Sequence, residues 1–205
     1  MGKKIIGLTG KYCAGKNHVA KILEKQGLPV LDLDELGHRV IELEKERLLA
    51  RFGKDILGQD DLINRKKLGA KVFGKPGELI ALEEIIHPGV NRETLTWINE
   101  RPENTCVINA ALLHRSDVFN LLEAIIIVEA PFLVRFLRAR KRDRLPWTAI
   151  IKRFNSQAEF YSQYFGGKTD IYRVENSGFP RLIKCFLRNK PENRINEILS
   201  LLGIK

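Results

Sequence analysis

The chain has 205 residues, 44% of them hydrophobic, which is enough to bury one sizeable core, alone or with an inserted subdomain. Lysine and arginine number 35 against 25 acidic residues, and the resulting net charge of +10 is compatible with binding to nucleic acid, with binding to small polyanions, or with solubility alone. Three separated cysteines without metal-ligand spacing, and no apolar run of membrane-span length, argue against a disulfide scaffold, a zinc module and a membrane protein, and favour a cytoplasmic one.

The first predicted elements are a buried strand over residues 5–9, a glycine-flanked loop and an amphipathic helix around residues 19–23. The loop, residues 10–17, fits the phosphate-binding pattern G-x-x-x-x-G-K-[ST], except that Asn17 stands at the last position. Its backbone N–H groups and the helix N-terminus predict a polyphosphate site, which Lys16 reaches as a point charge. Asn17 offers Mg²⁺ an amide oxygen in place of a hydroxyl. The alternative is a glycine-rich turn that binds no ligand.

The rest of the chain alternates between strands and helices. Strands are predicted at 30–31, 106–111, 124–130 and 171–175, and helices at 35–51, 62–73, 77–86, 89–100, 132–142, 147–164, 180–187 and 191–202. A helix start at Pro88 separates two of these helices. Strands that are apolar throughout and separated by helices are typical of a five-stranded parallel sheet covered by helices on both faces. Residues 59–100 are predicted to form an inserted helical domain, and 1–58 with 101–205 the core.

Two carboxylates, Asp32 and Asp34, follow the second predicted strand. Ligands of such α/β folds bind at the carboxyl ends of the strands, where the loop, these aspartates and Asn109 all lie. In phosphoryl transfer, one carboxylate can accept the proton of the attacking hydroxyl while the other orients substrate or a metal-bound water. Asp34 is also a good N-cap for the next helix, and one role does not exclude the other.

A dense group of arginines occupies the predicted helix over residues 132–142. Arg135, Arg138 and Arg142 recur at i, i+3 and i+7 on one face, while Arg140 and Arg144 lie on another. Beside a phosphate loop, one or two of the first three are expected to contact phosphate and stabilise transferring charge. The alternative is a solvated helix face. A single aromatic residue, Phe136, lies among these arginines, whereas a single-stranded nucleic-acid platform uses several, so this stretch disfavours that function.

Taken in order, these motifs resemble the dephospho-coenzyme A kinase family over nearly the whole chain. The matching residues are Gly7-Leu8-Thr9-Gly10, Asp32-Leu33-Asp34, Asn64-Arg65, Val72-Phe73, His87-Pro88-Gly89-Val90, Arg138 with Arg142-Asp143, and Asn176-Ser177-Gly178. The run from Asn64 to Val90 is far more specific than the phosphate loop.

The resemblance implies a P-loop kinase-type core, a helical substrate-binding domain and a lid over about residues 138–165. It implies that ATP, with Mg²⁺, phosphorylates the ribose 3′-hydroxyl of dephospho-coenzyme A. The expected partners are these two small molecules, without nucleic acid or membrane, in a monomer or small homo-oligomer.

Site residues follow from the same resemblance. The implied catalytic residues are Lys16, Asp32, Asp34 and Arg142. The implied nucleotide-binding residues are Gly10, Cys13, Ala14, Gly15, Lys16, Asn17, His18, Arg138 and Asn176, the last bordering adenine. Asp32, Asp34, Arg65 and His87 are expected on the acceptor side, and Asn17 is the expected metal ligand.

The chain departs from the family pattern at two places. Lys11, Cys13, Ala14 and Asn17 differ from the usual phosphate loop, and residues 109–115 lack the acid, proline and glutamate of Asp-x-Pro-Leu-Leu-x-Glu. Two further hypotheses therefore stand beside the first. One is a P-loop kinase acting on another small acceptor, and the other is a non-catalytic nucleotide-binding or nucleic-acid-binding relative.

Overall fold

A computed structural model of the chain describes residues 2–157, 159–164, 169–178 and 190–204. The strands are β1 (Lys4–Gly10), β2 (Val30–Asp32), β3 (Thr105–Asn109), β4 (Ala124–Glu129) and β5 (Asp170–Glu175). The helices are α1 (Lys16–Lys25), α2 (Leu33–Leu43), α3 (Lys45–Phe52), α4 (Arg65–Val72), α5 (Pro76–Glu100), α6 (Phe132–Asp143), α7 (Trp147–Asn155) and α8 (Pro191–Leu201). None of these helices is long and apolar enough to cross a membrane.

The five strands form one sheet in the order β2-β3-β1-β4-β5. The central strand β1 pairs in parallel with β3 and β4, and β5 pairs in parallel with β4. β3 is buried along its whole length, and β1 and β4 are buried except at one end, as expected where helices cover both faces. The predicted α/β class with a parallel sheet is confirmed, and the segments that follow β1, β3 and β4 leave the same edge of the sheet.

An aliphatic core fastens α1 and α8 to one face of the sheet. Val19 and Leu23 of α1 and Ile195 and Ile198 of α8 pack with strand residues such as Ile126, and all five side chains are buried. Hydrophobic burial of this kind is the main force that fixes a helix on a sheet. It holds the N-terminus of α1 at the end of β1, where the phosphate-loop motif lies.

The chain divides into two compact units, Met1–Leu31 with Pro102–Lys205, and Asp32–Arg101. The second unit is helical and comprises α2 to α5. It begins at Asp32, earlier than the insertion predicted to start at residue 59, because α2 and α3 pack against α5. The core of the second unit consists of Leu48, Phe52, Ile56, Ile63, Leu68 and Val72.

Two predicted helix boundaries in the second unit are wrong. The helix predicted over 35–51 breaks at Glu44 into α2 and α3, and the break predicted before Pro88 lies inside the continuous helix α5. A proline removes the hydrogen bond to the carbonyl of the residue four positions earlier, here Glu84. Both residues are exposed, so water can bond that carbonyl. At Gly89 a Cβ would lie 2.6 Å from Cγ1 of Val40, so the glycine lets α5 approach α2 closely.

Near the C-terminal end, α7 stops at Asn155 although the sequence predicts helix to residue 164. Beyond it, Gln157 accepts a hydrogen bond through Oε1 from the backbone N–H of Tyr12 at 2.7 Å, and the described residues up to 164 form turns. This contact spans most of the chain, so local periodicity does not reveal it. The helix predicted over 180–187 lies outside the described residues.

Candidate active site

The predicted phosphate loop joins the end of β1 to the start of α1. Backbone hydrogen bonds close it, from the N–H of Ala14 to the carbonyl of Lys11 and from the N–H of His18 to the carbonyl of Gly15, both at 2.9 Å. No side chain of the described residues caps the first turn of α1. Uncapped N–H groups at a helix N-terminus, together with the positive end of the helix dipole, bind anions. The loop and α1 therefore have the local structure of an anion site.

Two glycines of the motif are required by close approach. A Cβ at Gly10 would lie 2.7 Å from the carbonyl oxygen of Val128, and one at Gly15 would lie 2.1 Å from Nδ2 of Asn176. Gly15 also has a φ of 98°, in the region that favours glycine. Cys13 has a φ of 59°, a left-handed conformation that costs a non-glycine residue about 1–2 kcal/mol.

Arg138 and Asn176 hold the loop through its backbone carbonyls. The carbonyl of Ala14 accepts hydrogen bonds from Nη1 of Arg138 at 3.0 Å and from Nδ2 of Asn176 at 2.9 Å. Nη2 of Arg138 also donates to the backbone oxygen of Asn176 at 2.9 Å. The two predicted nucleotide-binding residues thus lie together against the loop and link it to the end of β5.

Three of the arginines on α6 face the loop. Arg135 donates from Nε to the carbonyl of Tyr12 at 2.9 Å, and Arg138 bonds Ala14 as described. The guanidinium carbon of Arg142 lies 5.1 Å from the centre of the Tyr12 ring. This is the helical face that the i, i+3, i+7 spacing identifies. Arg142 at its end is exposed, as are Arg140 and Arg144. Burial lowers the pKa of Arg138, and the hydrogen bond to Asp143 raises the pKa of Arg142.

A pocket of about 290 Å³ lies beside the loop at the carboxyl ends of β4 and β5. In its wall, the hydroxyl of Tyr161 donates to Oε1 of Glu129 at 2.6 Å, and Nζ of Lys11 lies 4.1 Å from the centre of the Tyr161 ring. Burial and then the neighbouring charge of Arg135 lower the pKa of Lys11. The remaining lining residues are Ala130, Pro131, Arg135 and Glu175.

The acceptor-side candidates belong to the second unit. Asp32 is the N-cap of α2, because its Oδ1 accepts from the N–H groups of Asp34 and Glu35 at 2.9 and 3.3 Å. The expectation that Asp34 is the cap is therefore wrong, since the helix begins two residues earlier, at Leu33 and not at Glu35. Asp34, Arg65 and His87 are exposed, and so is the proposed metal ligand Asn17 in the first unit. Among the described residues, no group of three or more His, Cys, Asp or Glu side chains is arranged to hold a metal ion.

Sequence reasoning missed several polar residues that surround the loop. Tyr12 and Tyr161 are two of them, and a third is Tyr164, whose buried hydroxyl lies 3.4 Å from Oγ1 of Thr9 and 3.2 Å from Nδ1 of His114. Their partners lie far away in the chain, so no local signal identifies these contacts.

A family model and similar proteins point to the same family. The model of the dephospho-CoA kinase family matches residues 4–164. A dephospho-CoA kinase of Treponema denticola is 32% identical over 183 residues, which are 84% of this chain and 82% of that protein. The crystal structure of TT1252 from Thermus thermophilus superposes with a TM-score of 0.79 at 26% identity, covering 99% of this chain and 98% of that one. A dephospho-CoA kinase structure from Campylobacter jejuni has a TM-score of 0.60 at 21% identity, covers 98% and 96% of the two chains, and supports the fold.

We expect Gly15→Ala to weaken nucleotide binding at least tenfold and to destabilise the fold by about 2–3 kcal/mol, because the new Cβ must displace the Asn176 amide and adopt a strained φ. Gly27→Ala is the matched control, since its φ is 83° but nothing lies within 4 Å of the added Cβ. Denaturant unfolding and nucleotide titration measure the two effects. Equal losses of stability in both variants, with nucleotide affinity retained, would contradict the packing argument.

Burial and the hydrogen bond to Glu129 raise the pKa of Tyr161 to about 12. Because this value is above that of an unfolded tyrosine, about 10, the stabilisation is complete below pH 10 and is lost as the pH rises to about 12. In an alkaline titration of phenolate absorbance, we expect Tyr161→Phe to remove a step near pH 12. As the pH rises from about 10 to about 12, the unfolding free energy of Tyr161→Phe should also fall less steeply than that of the unsubstituted protein. If all tyrosines of the unsubstituted protein ionise near pH 10, the raised pKa of Tyr161 is contradicted.

Proposed function

The chain belongs to the dephospho-CoA kinase family, and we propose that it transfers the γ-phosphoryl group of ATP to the ribose 3′-hydroxyl of dephospho-CoA, which gives coenzyme A. The observation that carries this proposal is the anion site at the start of α1, with Lys16 at the position of the phosphate-binding lysine. A cytoplasmic setting, as a monomer or small homo-oligomer, accords with this chemistry.

The donor side of the reaction is assigned to the first unit. The backbone N–H groups of the loop and of α1 bind the phosphates of ATP, and Lys16 adds a positive charge where the γ-phosphoryl group is transferred. Mg²⁺ bound with the nucleotide would neutralise phosphate charge. Asn17 would hold it through the amide oxygen, a neutral and acceptable ligand for this hard cation.

Two arginines of α6, Arg138 and Arg142, have different proposed roles. Arg138 already donates to backbone carbonyls of the loop, so its main contribution is to keep the phosphate cradle in shape. Arg142 is 61% exposed in its side chain, and its guanidinium lies over the Tyr12 ring beside the loop. It is the arginine that we assign to the charge on the transferred group.

The acceptor side is assigned to the second unit. Asp32 is half-buried and held by its two cap hydrogen bonds, so its carboxylate is fixed in place, whereas Asp34 is exposed one residue into α2. One of the two accepts the proton of the 3′-hydroxyl, and the other orients the ribose. Arg65 and His87 contribute further contacts to the anionic acceptor.

An acceptor panel tests the proposal directly. We expect ATP consumption with dephospho-CoA but not with nucleosides, nucleotides or simple sugars, and we expect Lys16→Ala to lower kcat by on the order of 10²–10³. Lys21→Ala, which removes an exposed lysine from the same helix, is the control and should retain activity. Preference for another acceptor would favour a different small-molecule kinase, and ATP binding without turnover of any acceptor would favour a non-catalytic relative.

The two aspartates are separable by isosteric substitution. Asn caps helices about as well as Asp, so Asp32→Asn should leave stability within about 0.5 kcal/mol of wild type while it removes the carboxylate. The general base should lose about 10²–10⁴ in kcat on this change, and the orienting residue less. Glu35→Gln, in the same helical turn, is the control. Less than a tenfold effect from both Asp32→Asn and Asp34→Asn means that neither carboxylate acts as the base.

A further inference from the structure

Tyr12 lies in the phosphate loop, and its backbone forms hydrogen bonds with two separate segments of the first unit. Its N–H donates to Oε1 of Gln157 at 2.7 Å, and its carbonyl accepts from Nε of Arg135 at 2.9 Å. The first bond joins the loop to the turn after α7, and the second joins it to α6. The backbone of Tyr12 is therefore held on both sides, which fixes the direction of its side chain.

The side chain of Tyr12 enters a cluster of charged groups. Its hydroxyl donates to Oδ2 of Asp143, and its ring packs edge-on against Phe154 with centroids 5.7 Å apart. The guanidinium carbons of Arg142 and Arg153 lie 5.1 and 5.5 Å from the ring centre. Nη1 of Arg153 is also 3.1 Å from the hydroxyl oxygen. One aromatic residue thus contacts both cations and the carboxylate between them.

Asp143 completes the arrangement by pairing with both arginines. It accepts from Nε of Arg142 at 2.7 Å and from Nη1 of Arg153 at 3.0 Å. Two guanidinium groups repel each other, and a shared carboxylate together with the negative face of an aromatic ring offsets that repulsion. Burial and the hydrogen bond to Asp143 raise the pKa of Tyr12, so its hydroxyl remains a donor at neutral pH.

We infer that Tyr12 is a positioning residue for phosphoryl transfer: it couples the phosphate loop to Arg142 and Arg153, so that these cations are held at the loop before substrate binds. The inference rests on the proposed kinase activity. Arginine charge stabilises a phosphoryl transition state only if it is correctly placed, and a displacement of about 1 Å can cost on the order of 10² in rate. Tyr12 itself touches no reacting atom in this account and acts through the arginines.

Substitutions at Tyr12 separate the ring from the hydroxyl. Tyr12→Leu removes the surface on which the arginines rest and should lower kcat about 10–100-fold, with little change in KM for ATP because the loop N–H groups remain. Tyr12→Phe keeps the ring and loses only the hydrogen bonds that the hydroxyl makes with Asp143 and Arg153, so it should retain most of the rate, to within about fivefold of wild type. Tyr172→Leu and Tyr172→Phe are matched controls at a half-buried tyrosine of β5 and should retain kcat.

A doubly substituted background tests whether Tyr12 acts through the arginines. In an Arg142→Ala, Arg153→Ala background, Tyr12→Leu should cause little further loss of kcat, because the groups that it positions are gone. The inference is overturned if the loss from Tyr12→Leu is equally large in this background, or if Tyr12→Leu alone retains wild-type kcat.

A spectroscopic measurement keeps the test independent of the acceptor. The Nε–H resonances of Arg142 and Arg153 should be shifted by the ring current of Tyr12, retained in Tyr12→Phe and lost in Tyr12→Leu. Absence of turnover by the unsubstituted protein would refute the proposed function while these shifts still report on Tyr12. Resonances that do not move in Tyr12→Leu would refute the positioning inference, whatever the activity.

Discussion

The shape of the candidate site depends on the hydrogen bonds that the backbone carbonyl of Ala14 accepts. A loop that presents its N–H groups to a polyphosphate must direct its carbonyls elsewhere, and a buried carbonyl without a partner is costly. Arg138 and Asn176 both donate to this carbonyl, and Arg138 also bonds the backbone of Asn176. The loop conformation is therefore stabilised from α6 and from the end of β5, and Gly15 is needed because the Asn176 amide occupies the space of a Cβ.

Two further residues of the loop, at positions 11 and 12, also hold it in place. Lys11 packs on the Tyr161 ring beside Glu129, and Tyr12 packs under Arg142 beside Asp143. In each case an aromatic ring and a carboxylate contact cations beside the candidate anion site. Part of the excess positive charge of the chain is thus ordered around the phosphate loop, which agrees with small polyanionic substrates.

Two departures from the family pattern, Cys13 and Asn17, have different local consequences. Cys13 adopts a left-handed conformation that a glycine takes without strain, so the loop is held there by its surroundings against a local cost. Asn17 is exposed at the start of α1, where its longer side chain has room. Neither change disturbs the bonds that shape the cradle, and Asp32 retains a fixed position through its cap of α2.

The sequence by itself determined the parallel sheet, the phosphate loop and the arginine face of α6, because apolar runs, glycine spacing and helical periodicity act over a few residues. It did not determine that α5 continues through Pro88, which is possible because Glu84, whose carbonyl Pro88 cannot bond, is exposed to water. It also did not determine the end of α7, where Gln157 bonds the backbone of Tyr12. The partners that fasten the loop were decided only by the tertiary structure. Contacts between residues more than 100 positions apart exist only once the sheet has brought α6, α7 and the loop together, so no local pattern encodes them.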